Sequence, residues 1–291
     1  MARFVSLIAA GVAQGAIAAL IALGIVLLHK ATGIVNFAQG DLLTLGAYVG
    51  YWLIVKHSMP TLPAYLVTLL LVFLVGVAIE RVGYAPLRKQ PILAVLISTF
   101  ALALGLRSLI ILWQGADDRN LPSPFKSRVW HVAGAAVPYQ NILIVVATLV
   151  VFAALSWLLQ RTAVGRQVRA LAADRETALL QGIRVERLSI VMFGLSAALA
   201  GLGGLMVAPT LTVTPTLGFP LLLASFAAVV LGGFDRIGGT VAAAFAIAIV
   251  QQILGGYVSH SYIEAYPYII LLGSLIIRPE GFVRGVTGVR Y

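Results

Sequence analysis

Cysteine is absent from the chain, which excludes disulfides and thiolate metal sites. Histidine is scarce: there are four, His29, His57, His131 and His260, and no two stand at the i, i+4 spacing that presents a metal pair on a helix. There is no H-E-x-x-H run, so zinc metalloprotease chemistry is excluded. The phosphate loop G-x-x-x-x-G-K-[ST] is missing as well. The stretch from Gly232 to Gly239 is glycine-rich but lacks the lysine, and reads as a tight turn between packed helices. Charge is equally thin. Only 10% of the 291 residues are Asp, Glu, Lys or Arg, against roughly 25% in soluble domains, and 60% are hydrophobic. Such a chain has little polar surface to show to water, so the bilayer is its main solvent. A single polytopic membrane domain over 1–291 is the economical reading. The formal net charge of +10 does not point to nucleic acid, because the basic residues gather at the ends of apolar runs without stacking aromatics.

Nine apolar runs are present, at 4–28, 36–56, 62–83, 92–113, 139–159, 188–208, 219–233, 238–256 and 262–277. The first is too long for a signal-peptide core and reads as a retained span. A span needs about 20 residues, so 219–233 and 262–277 are short. The expectation is an all-α polytopic membrane protein with eight or nine transmembrane helices, one or two of them broken or re-entrant.

Arg161, Arg166, Arg169, Arg175, Arg184 and Arg187 crowd the segment from 160 to 187. By the positive-inside rule this connector is cytoplasmic. That places the Arg81, Arg88 and Lys89 loop inside, with the tail carrying Arg278, Arg284 and Arg290. The loop from 114 to 138, with Asp117, Asp118, Pro122, Pro124 and Pro138, then lies outside, and Trp113 and Trp130 suit an interfacial belt. Nine spans put the amino terminus outside; with eight, one run re-enters or the terminus flips. Within the connector, Glu176-Thr177-Ala178 followed by Gly182 suits a short helix and a turn offered to a partner below the membrane.

Two segments resist a regular helix: Thr32 to Asp41, and Pro209 to Pro220 with Pro215 and Gly218 between. Broken helices at membrane depth survive only where they are buried or line a cavity, and paired breaks often mark a transport path. The spans are rich in glycine, including Gly11, Gly15, Gly24, Gly194, Gly201 and Gly204, which reads first as close helix packing. Ionisable groups inside spans are Asp41, Arg107 and Glu264. Asp41 is either a charge complementing its helix dipole or part of a polar lining. Arg107 is expected to snorkel to the outer surface and Glu264 to be interfacial. A serine-hydrolase reading would use Ser196 in Gly194-Leu195-Ser196-Ala197 with His260 as base, but a packing serine is far commoner.

Several motifs carry a family resemblance. The run Gly33-Ile34-Val35-Asn36-Phe37-Ala38-Gln39-Gly40-Asp41, then Leu45-Gly46-Ala47-Tyr48, resembles the signature of branched-chain amino acid ABC transporter permeases. So do Glu80-Arg81-x-x-Tyr84-x-Pro86-Leu87-Arg88, Leu96-Ile97-Ser98-Thr99, Gly165-Arg166-x-x-Arg169-Ala170, and Asp174 through Ala178 to Gly182-Ile183. The carboxyl half adds Pro215-x-x-Gly218-Phe219, Ala227-x-Val229-x-Leu231-Gly232-Gly233 and Arg278-Pro279-x-Gly281. The resemblance implies an importer subunit of the bacterial inner membrane. It would pair with a second permease, identical or homologous, two cytoplasmic ATPases that bind ATP and Mg, and a periplasmic solute-binding protein. It needs no cofactor of its own. It also implies that Gly165, Arg166, Arg169, Asp174, Glu176, Ala178 and Gly182 form the ATPase contact. Gln39 stands where the family usually has histidine. The path is expected along Asn36, Gln39, Asp41, Thr44, Ser98 and Ser225. Related permeases serve urea and short amides, and an ion-coupled secondary carrier is the other alternative.

Overall fold

The computed structural model describes residues 2–125, 128–132 and 135–277. The Arg278-Pro279-x-Gly281 motif and the basic tail lie outside the described residues. Eleven α-helices are present among those described: α1 Ala2–Thr32, α2 Gln39–Tyr51, α3 Thr61–Ile79, α4 Ile92–Gln114, α5 Tyr139–Arg161, α6 Ala163–Ala173, α7 Arg175–Leu180, α8 Val185–Val207, α9 Gly218–Gly232, α10 Ile237–Tyr257 and α11 Tyr266–Ile277. Each of the nine apolar runs contributes a helix, and the two remaining helices, α6 and α7, lie in the arginine-rich connector. Six helices are long and apolar enough to cross a membrane: α1, α3, α4, α5, α8 and α10. Three are shorter. α2 is extended by a π-helical turn over Trp52–Lys56, whereas α9 has 15 residues and α11 has 12. The molecule is thus a helical, multi-pass membrane protein. One departure from all-α is a small hairpin, β1 Val129–Val132 paired antiparallel with β2 Ala135–Pro138.

Proline sets several helix starts, where its missing N–H costs no hydrogen bond. Pro60, Pro91 and Pro138 immediately precede α3, α4 and α5, and Pro220 and Pro267 lie in the first turns of α9 and α11. Gly33, at φ +76°, ends α1 in a left-handed turn that L side chains disfavour.

Two ends of the bundle can be told apart by their contacts. At one end Lys30 lies 4.0 Å from Asp235, Arg88 pairs with Glu186 at 3.1 Å, and α6 packs beneath α1. At the other, Arg3 donates to Gly256 O at 2.5 Å, the Trp52 and Trp113 rings lie 5.7 Å apart, and Arg119 forms a two-way backbone bridge with Val213. The hairpin leads into α5 at this second end.

α1 is the central post. Its side chains from Ala16 to Leu28 are almost wholly buried. Gly11 and Gly15, four apart, let it lie against the backbone of α10; a Cβ on either would come within 2.8 Å of Ile249 Cα or Phe245 Cα. α8 is the second buried helix and packs on α1, α2 and α3. By contrast α3, α4 and α5 turn large apolar side chains outward, among them Leu66, Leu70, Leu109, Leu112, Val150 and Trp157. In water that surface would be untenable; against lipid or a second apolar subunit it is expected.

Candidate functional site

The two broken segments meet. α2 and α9 both begin inside the bundle, and their first turns touch at Gly40 and Gly218. A Cβ on Gly40 would come 2.7 Å from Gly218 O, and one on Gly218 would overlap the Gly40 carbonyl. Thr44 locks the crossing: its Oγ1 accepts from Gly218 N at 3.0 Å and donates to Gly40 O at 3.2 Å. Asn36 shapes the approach by accepting from Ala38 N at 3.0 Å. Beside it Phe37 stacks on Phe100 of α4, with centroids 4.2 Å apart, and faces Phe226 of α9 at 6.1 Å.

Gln39 is fully buried and committed to the packing. Its Nε2 donates to Ser196 O at 2.9 Å, and its Oε1 lies 3.0 Å from Ser196 Oγ, which also lies 2.8 Å from Gly24 O. The single hydroxyl proton of Ser196 serves one of these acceptors at a time. The hydroxyl that a serine hydrolase would need is therefore engaged inside the bundle, while His260 sits in the α10–α11 connection.

Asp41 and Arg107 overturn one expectation. Arg107 does not snorkel outward. Its Nε donates to Asp41 Oδ1 at 2.9 Å and its Nη2 to Asp41 Oδ2 at 3.3 Å, and its guanidinium carbon lies 5.8 Å from the Phe219 ring centroid. The Asp41 side chain is 4% exposed and that of Arg107 22%. A carboxylate this deep needs such a partner.

Of the six residues expected along a path, Asn36, Gln39, Asp41 and Thr44 are brought together at the α2 start. Ser98 is apart from them. It donates to Gly83 O at 3.1 Å, where α3 ends in a π-helical turn, and its neighbour Thr99 is the one that reaches the break, accepting from Phe37 N at 3.4 Å. Ser225 turns back on its own helix, to Leu221 O at 2.6 Å. Gln39, Thr44 and Ser225 have no exposed surface, so in this conformation they form a wall and do not line an opening.

A cavity of about 650 Å³ opens at the hairpin end, reaching the first turn of α9 at Leu217, Pro220 and Leu221. Gln14, Asn141, Gln251, Gln252, Glu264 and Tyr268 give it polar points on an apolar wall. Its size suits a small solute. None of the six expected residues lines it, and its glutamines, spread over α1 and α10, left no local signal in the sequence.

At the opposite end, α6 and α7 are well-formed helices with defined caps. Thr162 caps α6 by accepting from Gly165 N at 3.1 Å, and Gly165 lies so close to the Leu158 and Leu159 carbonyls that no Cβ fits. Val168 and Leu171 are buried while Arg166 and Arg169 face out. Asp174 caps α7 by accepting from the Thr177 hydroxyl and from Glu176 N at 2.9 Å, and donors from Thr177 first and Glu176 second hold its carboxyl below the usual range. Gly182, at φ +79°, closes α7: Gly182 N donates to Leu179 O at 3.0 Å and Ile183 N to Ala178 O at 3.2 Å. Ala178 is buried beneath the helix, yet Leu179 and Leu180 are 52% and 89% exposed on a charged surface. Sequence reasoning missed the clamp beside this region. Arg88 reaches Glu80 at 2.6 Å and Glu186 at 3.1 Å, tying the end of α3 to the start of α8. Among the described residues no cluster of His, Asp or Glu is arranged to hold a metal ion.

Comparison with known proteins accords with this geometry. LivH of Salmonella typhimurium strain LT2, named as a high-affinity branched-chain amino acid transport system permease protein, is 28% identical over 94% of this chain and 93% of its own. BraD of Pseudomonas aeruginosa, with the same description, is 27% identical over 94% and 93%. LsrC of Escherichia coli O9:H4, an autoinducer 2 import system permease protein, is 31% identical over 68% of this chain and 54% of its own. A solved structure of PsaBC from Streptococcus pneumoniae in complex with Fab superposes with a TM-score of 0.53 at 13% identity, covering 93% of this chain and 91% of that one; it speaks to the fold alone. The family described as branched-chain amino acid transport system / permease component matches residues 7–278, and the chain belongs to that family.

Proposed function

We propose that this chain is the membrane-spanning permease subunit of an ATP-binding-cassette importer in the inner membrane, passing branched-chain or other hydrophobic amino acids handed over by a periplasmic binding protein. The α6–α7 pair is the observation that carries this reading. It is a pre-shaped, doubly capped element with two exposed leucines between charges, set at the arginine-rich end. A helix that shows Leu179 and Leu180 there is suited to dock into another protein. Two cytoplasmic ATPases would bind ATP and Mg and move it.

On this reading the arginines fix the α6–α7 end in the cytoplasm and the hairpin end outside. The chain then makes nine passes, with α2, α9 and α11 short. A second permease, identical or homologous, covers part of the outward apolar face. The path runs beside the α2–α9 crossing, with Asn36, Gln39, Thr44 and Ser225 holding its wall, Asp41 nearest the opening, and Ser98 supporting α3. Gly165, Arg166, Arg169, Asp174, Glu176, Ala178 and Gly182 make up the ATPase contact. The similarity to an autoinducer 2 permease, beside those for branched-chain amino acids, keeps other small solutes such as urea or short amides in view.

Gly182→Arg tests the docking role. The left-handed turn disfavours any side chain, and the new one projects beside the α7 surface. Uptake is expected to be abolished while insertion in the membrane stays intact. Wild-type uptake by that variant would remove the docking assignment, and uptake by the wild type without ATPase partners, driven by an ion gradient, would favour the secondary-carrier alternative.

A further inference from the structure

Arginine carries five N–H donors in a planar fork, enough to hold two carboxylates on separate edges. In Arg107 only one edge is used. Nε and Nη2 are spent on Asp41, and no hydrogen bond among the described residues involves Nη1. The Nη1–Nη2 edge is left as a second bidentate dock for a carboxylate. The side chain is 22% exposed, whereas its partner is 4% exposed, so the open side of the pair belongs to Arg107.

The surroundings of that edge are informative. Arg107 shares the outward face of α4 with Leu104 and Phe100, one and two turns back, 61% and 44% exposed. Phe219, 44% exposed, lies under the guanidinium. An open guanidinium edge turned toward hydrocarbon is costly, so this face meets water or solute in the assembled membrane protein. The Asp41 carboxylate cancels the charge of Arg107, and the pair stays neutral until a further carboxylate arrives.

We infer that Arg107 holds the carboxylate of the solute during passage, with Asp41 fixing the plane of the guanidinium and Phe100, Leu104 and Phe219 receiving the apolar side chain. This deepens the importer reading above and rests on it. A free amino acid brings a carboxylate, a balancing ammonium and an aliphatic chain, and the face offers a two-donor edge next to apolar surface. Arriving from the hairpin end, the solute meets Arg107 before the Phe37–Phe100–Phe226 cluster, which lies deeper toward α6. Arg107 is a specificity-determining contact, and Asp41 is a positioning residue that acts through it.

The test uses the complete assembly in proteoliposomes, with its partner permease, ATPases and binding protein, and radiolabelled leucine as probe. ATP-dependent leucine uptake by the wild type is measured first: its absence overturns the assignment to hydrophobic amino acids and this contact with it, whereas the Arg107 variants, scored against a transporting wild type, decide the contact alone. Arg107→Gln and the double variant Asp41→Asn/Arg107→Gln are both expected to lose at least about tenfold in uptake, equivalent to one lost contact of about 1.4 kcal/mol. Stimulation of ATP hydrolysis by the loaded binding protein should persist in both. Asp41→Asn, with the arginine kept, retains uptake with an altered KM. Arg107→Lys keeps the charge but not the fork, and shows a raised KM. Recovery of uptake in the double variant would mean that only charge balance matters, and would overturn the assignment. So would wild-type uptake by Arg107→Gln, or dissociation of the two permeases in that variant, which would give the open edge to the partner subunit. If Arg107→Gln does not assemble, Arg107→Lys decides: an unchanged KM refutes the contact.

Discussion

Ser196 shows how far one hydroxyl can tie a helical bundle together. It stands on α8 and reaches Gly24 on α1 and Gln39 at the start of α2, so three helices meet at one side chain. In the sequence, Gly194-Leu195-Ser196-Ala197 reads first as packing, but what Ser196 packs against is not legible, because the partners lie 172 and 157 residues away. Ser196→Ala is expected to destabilise by about 1–3 kcal/mol, since Gln39 is left short of a donor in a dry site. A thermal-shift measurement on the detergent-solubilised protein should show a lowered midpoint, and an unchanged midpoint would mean that water replaces the hydroxyl. Gly218→Ala is the sharper change. Its methyl would overlap the Gly40 carbonyl, which is backbone and cannot turn aside. Overpacking of this kind costs about 1–3 kcal/mol and here would also part α2 from α9. The amount of folded permease recovered from membranes should fall, and normal recovery would show that the α2–α9 crossing can open by a methyl group's width without cost.

Helices were legible wherever the chain carries its own punctuation. The broken segment at 32–41 is announced by Gly33 and Asn36, the one at 209–220 by three prolines, and α7 by Asp174 and Gly182, each of which does locally what its type suggests. The Asp41–Arg107 pair was not legible, because its members are 66 residues apart; alone, Arg107 reads as an end-of-helix charge and Asp41 as that or as part of a polar lining. The π-helical turns after α2 and α3 were likewise hidden, since no residue type specifies them. The cap of α7 carries its own prediction. Asp174→Ala removes the acceptor for Glu176 N and the Thr177 hydroxyl, and should lower uptake a few-fold, whereas Asp174→Ser, which can still cap, should retain most of it. Equal loss in the two variants would point to the charge of Asp174 in place of its capping. Because the folded state lowers this carboxyl's pKa, the cap is present above the ordinary aspartate range and weakens as pH falls through the depressed value.

For the molecule as a whole, the decisive property is which end faces the cytosol, and the chain's lack of cysteine makes this measurable without background. Helix direction alternates through α1, α2, α3, α4, α5, α8, α9, α10 and α11, so Arg3 and Ile277 fall at opposite ends, and α6 with α7 caps the end reached by α11. That end carries Lys30, Arg88, Arg166, Arg169 and Arg175, while the other carries Asp117 and Asp118 with Arg119 between loops. Short loops rich in arginine resist translocation, and acidic residues contribute little to orientation, so the positive end should stay in the cytosol. In spheroplasts, the thiol of Asp118→Cys should react with a membrane-impermeant maleimide, and that of Arg169→Cys only after the membrane is opened. Both positions are exposed, so poor reaction cannot be blamed on burial. The reverse pattern would leave the helical bundle untouched but would put α6 and α7 on the side without ATP, and an ATPase could then no longer work this permease through them.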